Sequence, residues 1–336
     1  MKIIIPMAGR GTRLRPHTLT VPKPLVPIAG KPIVHRLVED IVKVCDQEVD
    51  EIAFIIGRDF GEAVENRLKE IAKQVGSKAS IYYQDQKLGT AHAILCAKES
   101  LQGNLVVAFA DTLFKADFTL DSSAQGIIWV QQVEDPTAFG VVKINGKNEI
   151  TDFVEKPREF VSDLAIIGIY YFQDGAYLRD ELQYLIDNDI RDRGEYQITN
   201  ALENMKNKGT KFVPGQVEEW LDCGNKEATV FTNQRYLEYP IRDTPTVADS
   251  AKLVNSVVIP PVFIGENVEI HNTVVGPHVS VGNKTKIHDS IVKNSIIQED
   301  SIIQNANISN SMVGNFVSYK GKSSDLSLGD YNQLEE

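Results

Sequence analysis

The 336-residue sequence has few cysteines and no long apolar run. Its three cysteines, Cys45, Cys96 and Cys223, lie far apart without CxxC spacing, so neither a disulfide framework nor a zinc site is expected. No segment approaches the roughly 18 apolar residues of a membrane span. The apolar run at the start, MKIIIPMAG, is too short for a signal peptide. These absences favour a soluble protein of a reducing cytoplasm.

An excess of positive charge is also missing. The formal net charge of -11 argues against general binding to nucleic acid or to an anionic membrane, since both attract positive faces. A small phosphorylated substrate stays possible, because it needs only local positive charge. With 42% hydrophobic and 24% charged residues, the chain can form one large globular domain and a smaller one.

Apolar runs rich in β-branched and aromatic residues alternate with amphipathic stretches over roughly the first 110 residues. The runs favour buried strands, and the stretches between them carry apolar residues at helical spacing. Such alternation predicts an α/β fold with a parallel sheet, whose ligands bind beyond the carboxyl ends of the strands. The predicted strands are 2–7, 51–57, 80–84 and 104–111, and the predicted helices are 31–45, 60–76 and 89–101.

The pattern then changes twice. Residues 127–172 are rich in strand-like segments and residues 174–208 are helical, which predicts an α+β elaboration facing the first strand's loop. After about 253, aliphatic residues recur six apart, which predicts a parallel β-helix of three-stranded coils. The repeated positions are Val258, Ile264 and Ile270, then Val275, Val281 and Ile287, then Ile291, Ile297 and Ile303.

Glycine and basic residues follow the first predicted strand. Gly9 and Gly11 form a tight turn there, in which backbone N–H groups can approach phosphate oxygens closely. Prolines on both sides of Lys23 stiffen its backbone. A phosphate-binding loop and a solvated turn both fit these residues. The basic side chains are Arg10, Arg13, Arg15 and Lys23.

The segment GRGTRLRPHTLTVPKPLVPIAGKP resembles the signature of the sugar-1-phosphate nucleotidyltransferases, in which G-x-G-T-R-L precedes P-K-P. The resemblance extends through residues 1 to about 235. It implies a Rossmann-like domain with a mixed, mostly parallel sheet, followed by a left-handed β-helix. The implied domains are catalytic at 1–240, a linker at 241–252, a β-helix at 253–320 and a polar tail at 321–336.

The resemblance also implies a reaction between two polyanions. A sugar 1-phosphate oxygen attacks the α-phosphorus of a nucleoside triphosphate, giving an NDP-sugar and pyrophosphate, so charge neutralisation and positioning dominate. By resemblance, Gly9, Gly11 and Thr12 cradle the triphosphate. Arg13 neutralises the β- and γ-phosphates, and Lys23 lies near the α-phosphate and the nucleophile.

Two aspartates match the metal-binding elements of the family. Asp111 follows the predicted strand 104–111, and Asp222 lies in a W-x-D-x-G element. By resemblance they bind Mg²⁺, which prefers oxygen ligands and retains several waters. Taken alone, each aspartate is as compatible with a helix N-cap or a turn.

The segment YYQDQKLGTAHAI resembles the base-recognition loop of the family. Its Q-x4-G-T spacing makes Gln84, Gly89 and Thr90 candidates for contacting uracil or thymine. The alternative is that the segment only starts a helix with Thr90 as N-cap, and both interpretations can hold together.

The sugar elements of the family match DPTAFGVV and FVEKP. Gly140 would let the backbone approach the sugar, Glu155 would accept hydrogen bonds from hydroxyls, and Lys156 would pair with the sugar phosphate. Ile166 stands where N-acetylglucosamine-type enzymes commonly have Asn, which favours glucose. The segment 194–202 also matches, and in the family it borders the sugar pocket.

The predicted β-helix contains His271, His278 and His288. Related β-helices use a histidine base for acetyl transfer, so a bifunctional enzyme is one alternative. The commoner role is oligomerisation or regulation, and we expect a homo-oligomer.

The leading hypothesis is a glucose-1-phosphate thymidylyltransferase. A UTP- or GTP-dependent enzyme of the same class and a non-catalytic regulatory subunit that binds NDP-sugar remain open.

Overall fold

The structure is a computed structural model that describes residues 1–9, 11–117, 119–239 and 246–322. The chain divides into two compact units. The first unit comprises Met1–Val26 and Lys31–Ala228, and the second comprises Pro27–Gly30 and Thr229–Glu336. Part of the predicted linker (241–245), most of the predicted tail (323–336) and Arg10 lie outside the described residues.

Strands and helices alternate through the first 239 residues. The strands are β1 (Lys2–Pro6), β2 (Pro27–Ile28), β3 (Lys31–Pro32), β4 (Glu51–Ile56), β5 (Lys78–Tyr83), β6 (Leu105–Ala108), β7 (Thr112–Lys115), β8 (Gly126–Gln132), β9 (Gly140–Ile144), β10 (Ile150–Glu155), β11 (Leu164–Phe172), β12 (Phe212–Gln216) and β13 (Glu219–Asp222). The helices are α1 (Ile33–Val44), α2 (Glu62–Gln74), α3 (Thr90–Leu95), α4 (Gly175–Asp187), α5 (Ile198–Asn207) and α6 (Lys226–Glu238), with short 3-10 helices at Thr12–Leu14, Lys23–Leu25 and Arg58–Phe60.

A mixed sheet forms the core of the first unit, in the order β10-β9-β11-β6-β1-β4-β5, with β8 paired to β11 and β12 paired to β8. Strand β1 lies inside it, parallel to both β4 and β6. Its residues Ile3, Ile4 and Ile5 are fully buried, as expected for a strand covered on both faces. The predicted Rossmann-like sheet is confirmed, and the carboxyl end of β1 leads directly to the glycine loop.

A second, two-stranded sheet was not predicted. It pairs β7 with β13 in antiparallel fashion and sets Asp222 opposite Thr112. The side chain of Trp220 donates a hydrogen bond from Nε1 to the Thr112 hydroxyl at 2.8 Å. This small sheet joins two segments of the chain that are more than 100 residues apart.

Three parallel sheets make up the second unit from residue 252 onward, consistent with the predicted left-handed β-helix. Aliphatic side chains that point inward, among them Ile264, Val281 and Ile297, stack at equivalent positions. The strands are β14 (Lys252–Val254), β15 (Val257–Val258), β16 (Val262–Ile264), β17 (Glu269–His271), β18 (Val274–Val275), β19 (Val279–Val281), β20 (Lys286–His288), β21 (Ile291–Lys293), β22 (Ser295–Ile297), β23 (Ile302–Gln304), β24 (Asn307–Ser309), β25 (Met312–Val313) and β26 (Ser318–Lys320).

The predicted six-residue register is wrong at one position. Ile291 is 47% exposed, whereas its neighbour Val292 is fully buried and stacks on Val275. The physical reason is coil length, since equivalent residues lie 17 apart in some coils and 16 in others. Each is shorter than three full hexapeptides, so the inward position moves along the sequence.

No helix among the described residues has both the length and the hydropathy needed to cross a membrane.

Candidate active site

A cleft of about 470 Å³ opens at the carboxyl end of β1 in the first unit. This is the sheet edge where an α/β fold binds its ligands. The cleft brings together residues that were predicted separately from four parts of the sequence. The predicted site residues that line it are Gly9, Gly11, Thr12, Arg13, Lys23, Gln84, Gly89, Thr90 and Asp111.

The two glycines of the loop have different roles. Gly11 has φ +61°, and a Cβ there would lie 2.6 Å from the Cβ of Lys23, so only glycine allows the loop to approach that lysine. Gly9 is exposed, and a Cβ there would meet no protein atom within 4 Å. The space over Gly9 is therefore open to a ligand.

Lys23 is the buried cation of the cleft. Only 6% of the residue is exposed, and its Nζ lies 2.9 Å from Oδ2 of Asp111. Its position follows from the 3-10 helix Lys23–Leu25, which has a proline at its second residue. A lysine held this way has little freedom to move away from a ligand in the cleft.

Asp222 is placed next to Asp111 by the β7–β13 pairing, and the N–H of Cys223 donates to the carbonyl of Asp111 at 3.0 Å. Burial and then the charge of Asp111 raise the pKa of Asp222, while the Gly224 backbone, Lys23 and Arg13 act in the opposite direction. Two neighbouring carboxylates of this kind are a fit for a divalent cation, which would relieve their repulsion. The described residues contain no cluster of three potential His, Cys, Asp or Glu ligands.

Another residue of the cleft wall, Gln84, follows β5. Its Nε2 lies 3.3 Å from the carbonyl oxygen of Gly89 and 3.1 Å from Nδ1 of His92. Gly89 has φ +114°, and a Cβ there would lie 2.4 Å from the carbonyl oxygen of Tyr196. This glycine is therefore required for packing, whatever it contacts in a ligand.

The alternative interpretation, in which Thr90 caps α3, is wrong at that residue, because Gly89 is the N-cap and Thr90 is the first helical residue. The Thr90 hydroxyl instead donates to Oε1 of Gln197 and accepts from the N–H of Ile198, both at 2.9 Å. Helix α3 is thereby tied to the segment 194–202. From that segment, which the resemblance expected to border the sugar pocket with Glu195 and Tyr196 as candidates, Glu195 lines the cleft.

The predicted sugar residues form a neighbouring cluster that does not line the cleft itself. A Cβ on Gly140 would lie 3.1 Å from Oε2 of Glu155 and 3.3 Å from Cδ1 of Ile166. Glu155 accepts a hydrogen bond from the Thr199 hydroxyl at 3.2 Å. The Nζ of Lys156 lies 3.4 Å from Oε1 of Glu155. Thr199 is the member of this cluster that sequence patterns missed.

The sequence model of one family, Nucleotidyl transferase, matches residues 2–238, which include both ends of the cleft. The chain belongs to the nucleotidyl transferase family. The predicted enzyme class is thus confirmed, and the match covers the mixed sheet, β7 and β13.

Individual relatives carry more specific names. The chain is 32% identical to the low-salt glycan biosynthesis nucleotidyltransferase Agl11 of Haloferax volcanii, covering 75% of this chain and 70% of that protein. It is 31% identical to the bifunctional protein GlmU of Methanococcus maripaludis, covering 77% of this chain but only 59% of that protein. Identity to the glucose-1-phosphate thymidylyltransferase of Streptomyces antibioticus is 29%, over 80% and 79% of the two chains.

A crystal structure of UDP-glucose pyrophosphorylase complexed with UDP-glucose is also similar to this nucleotidyl transferase. It has a TM-score of 0.58 and 27% identity, covering 70% of this chain and 97% of that chain.

Proposed function

We propose that this nucleotidyl transferase joins a nucleoside triphosphate to a sugar 1-phosphate, and that its substrates are dTTP and glucose 1-phosphate. The observation that carries the proposal is the convergence of Lys23, Asp111 and Asp222 beside an open glycine loop. A buried lysine next to two carboxylates suits a reaction in which phosphates are both nucleophile and electrophile.

The chain's own residues would act by position and charge. An oxygen of the sugar phosphate attacks the α-phosphorus, the bond to the β-phosphate oxygen breaks, and pyrophosphate leaves. Lys23 neutralises charge at the α-phosphate, and Arg13 at the departing phosphates. The nucleophile is already ionised, so no histidine base is required.

Mg²⁺ is the cofactor that fits the two carboxylates. Asp111 and Asp222 would hold it, with waters and phosphate oxygens as the other ligands, and its chemistry would be charge neutralisation at the phosphates. Burial and then the charge of Asp111 raise the pKa of Asp222, which supports this assignment, because a cation would offset both effects.

Substrate choice is supported at both ends of the site. The Gln84 amide at the cleft wall suits the edge of thymine or uracil, so UTP is the alternative nucleotide. Ile166 adds an aliphatic side chain beside Gly140 and Glu155, where an amide would be needed to hold an N-acetyl group. This favours glucose over an N-acetylhexosamine.

The β-helix would hold copies of the chain together. Val257, Val274 and Ile291 occupy equivalent positions on β15, β18 and β21, and Val257 and Ile291 are 56% and 47% exposed. Such an aliphatic stripe suits self-association. Sedimentation of Ile291→Lys should show a smaller species than the wild type, and an unchanged mass would oppose this assignment.

The decisive experiment is a matrix of five nucleoside triphosphates against several sugar 1-phosphates, read by pyrophosphate release with Mg²⁺. We expect the highest kcat/KM for dTTP with glucose 1-phosphate. Asp187→Asn, at the exposed end of α4, serves as a matched control for Asp111→Asn. Release with no pair would contradict catalysis and favour a regulatory, NDP-sugar-binding subunit.

A further inference from the structure

Hydrogen bonds within the protein fix both the backbone and the side-chain amide of Gln84. Its backbone N–H donates to the carbonyl of Ile56 at 2.9 Å, continuing the parallel pairing of β4 and β5. The residue is 9% exposed and lines the cleft. A side-chain amide in this position presents either its oxygen or its nitrogen to a ligand. The oxygen requires a hydrogen-bond donor on the ligand, and the nitrogen requires an acceptor.

The neighbours of the amide decide between the two orientations. The carbonyl oxygen of Gly89 can only accept a hydrogen bond, so the group 3.3 Å from it must be the NH2 of Gln84. The second hydrogen of that NH2 then points to Nδ1 of His92, 3.1 Å away. This bond requires an unprotonated Nδ1, with the ring hydrogen on Nε2.

The surroundings of His92 favour the neutral ring that this bond requires. Burial lowers the pKa of the imidazole, so the neutral ring is preferred at pH 7. A neutral ring can offer Nδ1 as an acceptor, whereas an imidazolium would donate at both nitrogens. Among the described residues, Oε1 of Gln84 accepts no hydrogen bond and stays available to a ligand.

We infer that His92 is a positioning residue, which fixes the Gln84 amide with Oε1 towards the base and thereby selects a pyrimidine that carries an N3–H donor. Thymine and uracil have that donor. Cytosine has an unprotonated N3, which would face Oε1 as a second acceptor and leave both groups unpaired. The inference rests on the proposed base-contacting role of Gln84. It adds His92 as the residue that fixes which atom of the Gln84 amide faces the base.

The test compares dTTP with 5-methyl-dCTP, because these nucleotides differ only on the ring edge that Gln84 would contact. The wild type should favour dTTP in kcat/KM. His92→Leu removes the acceptor and should lower that preference by about tenfold, the usual effect of one lost buried hydrogen bond. His92→Asn restores an acceptor near the position of Nδ1. It should keep the preference for dTTP within about threefold of the wild type. If the ring only filled space, Asn and Leu would not be expected to differ in this way.

Gln84→Ala separates this inference from the proposed function. If Gln84→Ala lowers the preference and His92→Leu does not, the positioning role of His92 is wrong and the base contact stands. If neither variant changes it, the proposed base contact itself fails.

A measurement on the unaltered protein covers the case in which His92→Leu does not fold. The ¹⁵N chemical shifts of labelled histidine report the tautomer of each ring directly. We expect an unprotonated Nδ1 and a protonated Nε2 for His92 at pH 7, and a proton on Nδ1 would overturn the inference.

Discussion

The cleft of the first unit and the β-helix of the second differ in how their polar side chains are paired. In the β-helix, side-chain amides pair from coil to coil: Asn255 donates to Asn272, and Asn272 donates to Asp289. Beside the cleft, Asp222 lies near Asp111, and burial together with the charge of Asp111 raises the pKa of the Asp222 carboxyl. The first arrangement stabilises the fold by itself, whereas the second would be stabilised by the proposed cation and substrate.

The glycines of the two regions show the same contrast. A Cβ on Gly276 of the β-helix would lie 1.9 Å from the carbonyl oxygen of Ile259, at φ +111°. A Cβ on Gly9 of the cleft would meet no protein atom. The fold thus requires glycine at Gly276, whereas at Gly9 the protein itself leaves room for a side chain and only the proposed triphosphate would need that space. Four changes test this comparison.

The largest effect is expected for Asp222→Asn. Losing one of the two proposed cation ligands should remove several kcal/mol of transition-state stabilisation, on the order of a thousandfold in kcat/KM. Because the charge of Asp111 opposes that of Asp222, the metal-free variant should unfold at the same temperature as the wild type or a higher one. Pyrophosphate release and thermal unfolding in EDTA measure the two effects, and near wild-type release would contradict the cation assignment.

Gly276→Ala should act on the fold. Its Cβ would clash with backbone at a left-handed φ, so we expect a loss of about 2–4 kcal/mol in the free energy of unfolding. Chemical denaturation checks this against Gly146→Ala, whose Cβ enters open space. Equal stability of the two variants would show that the coil adapts to a side chain.

Gly9→Ala should act on binding. Folding should be unaffected, since the new methyl group meets no protein atom, but it would fill the space proposed for the triphosphate. We expect KM for the nucleotide to rise about tenfold, in line with the loss of about one hydrogen-bonded contact. Unchanged KM would place the triphosphate away from this loop.

The smallest effect is expected for His288→Ala. The ring stacks on His271 at a centroid distance of 5.0 Å near the surface of the β-helix, so unfolding should change by less than about 1 kcal/mol. Nucleotidyl transfer should be unchanged. His278 already lies 3.0 Å from the carboxylate of Glu238. An acetyl-CoA-dependent activity that disappears in His288→Ala would instead support the bifunctional alternative.

Local patterns predicted the regular elements well. The three consecutive isoleucines of β1 and the apolar spacing of α1 and α2 correspond to elements within two residues of the predicted limits. Helix α3 ends at Leu95, earlier than the predicted 101, because the chain turns at 97–100. A helix cap at Thr90 was the alternative to a base contact, but its hydroxyl is bonded to residues more than 100 positions away, which no local pattern contains.

Sequence patterns alone were enough to predict the glycine and lysine loop, the alternating α/β order and the repeat of the β-helix, because each depends on residues close together in the chain. The folded structure is needed to show which distant groups meet. The β7–β13 pairing brings Asp222 to Asp111, and the first turn of α3 brings His92 to Gln84. The charge balance of the cleft and the orientation of the Gln84 amide arise from these contacts, since electrostatic and hydrogen-bond energies depend on distances in space.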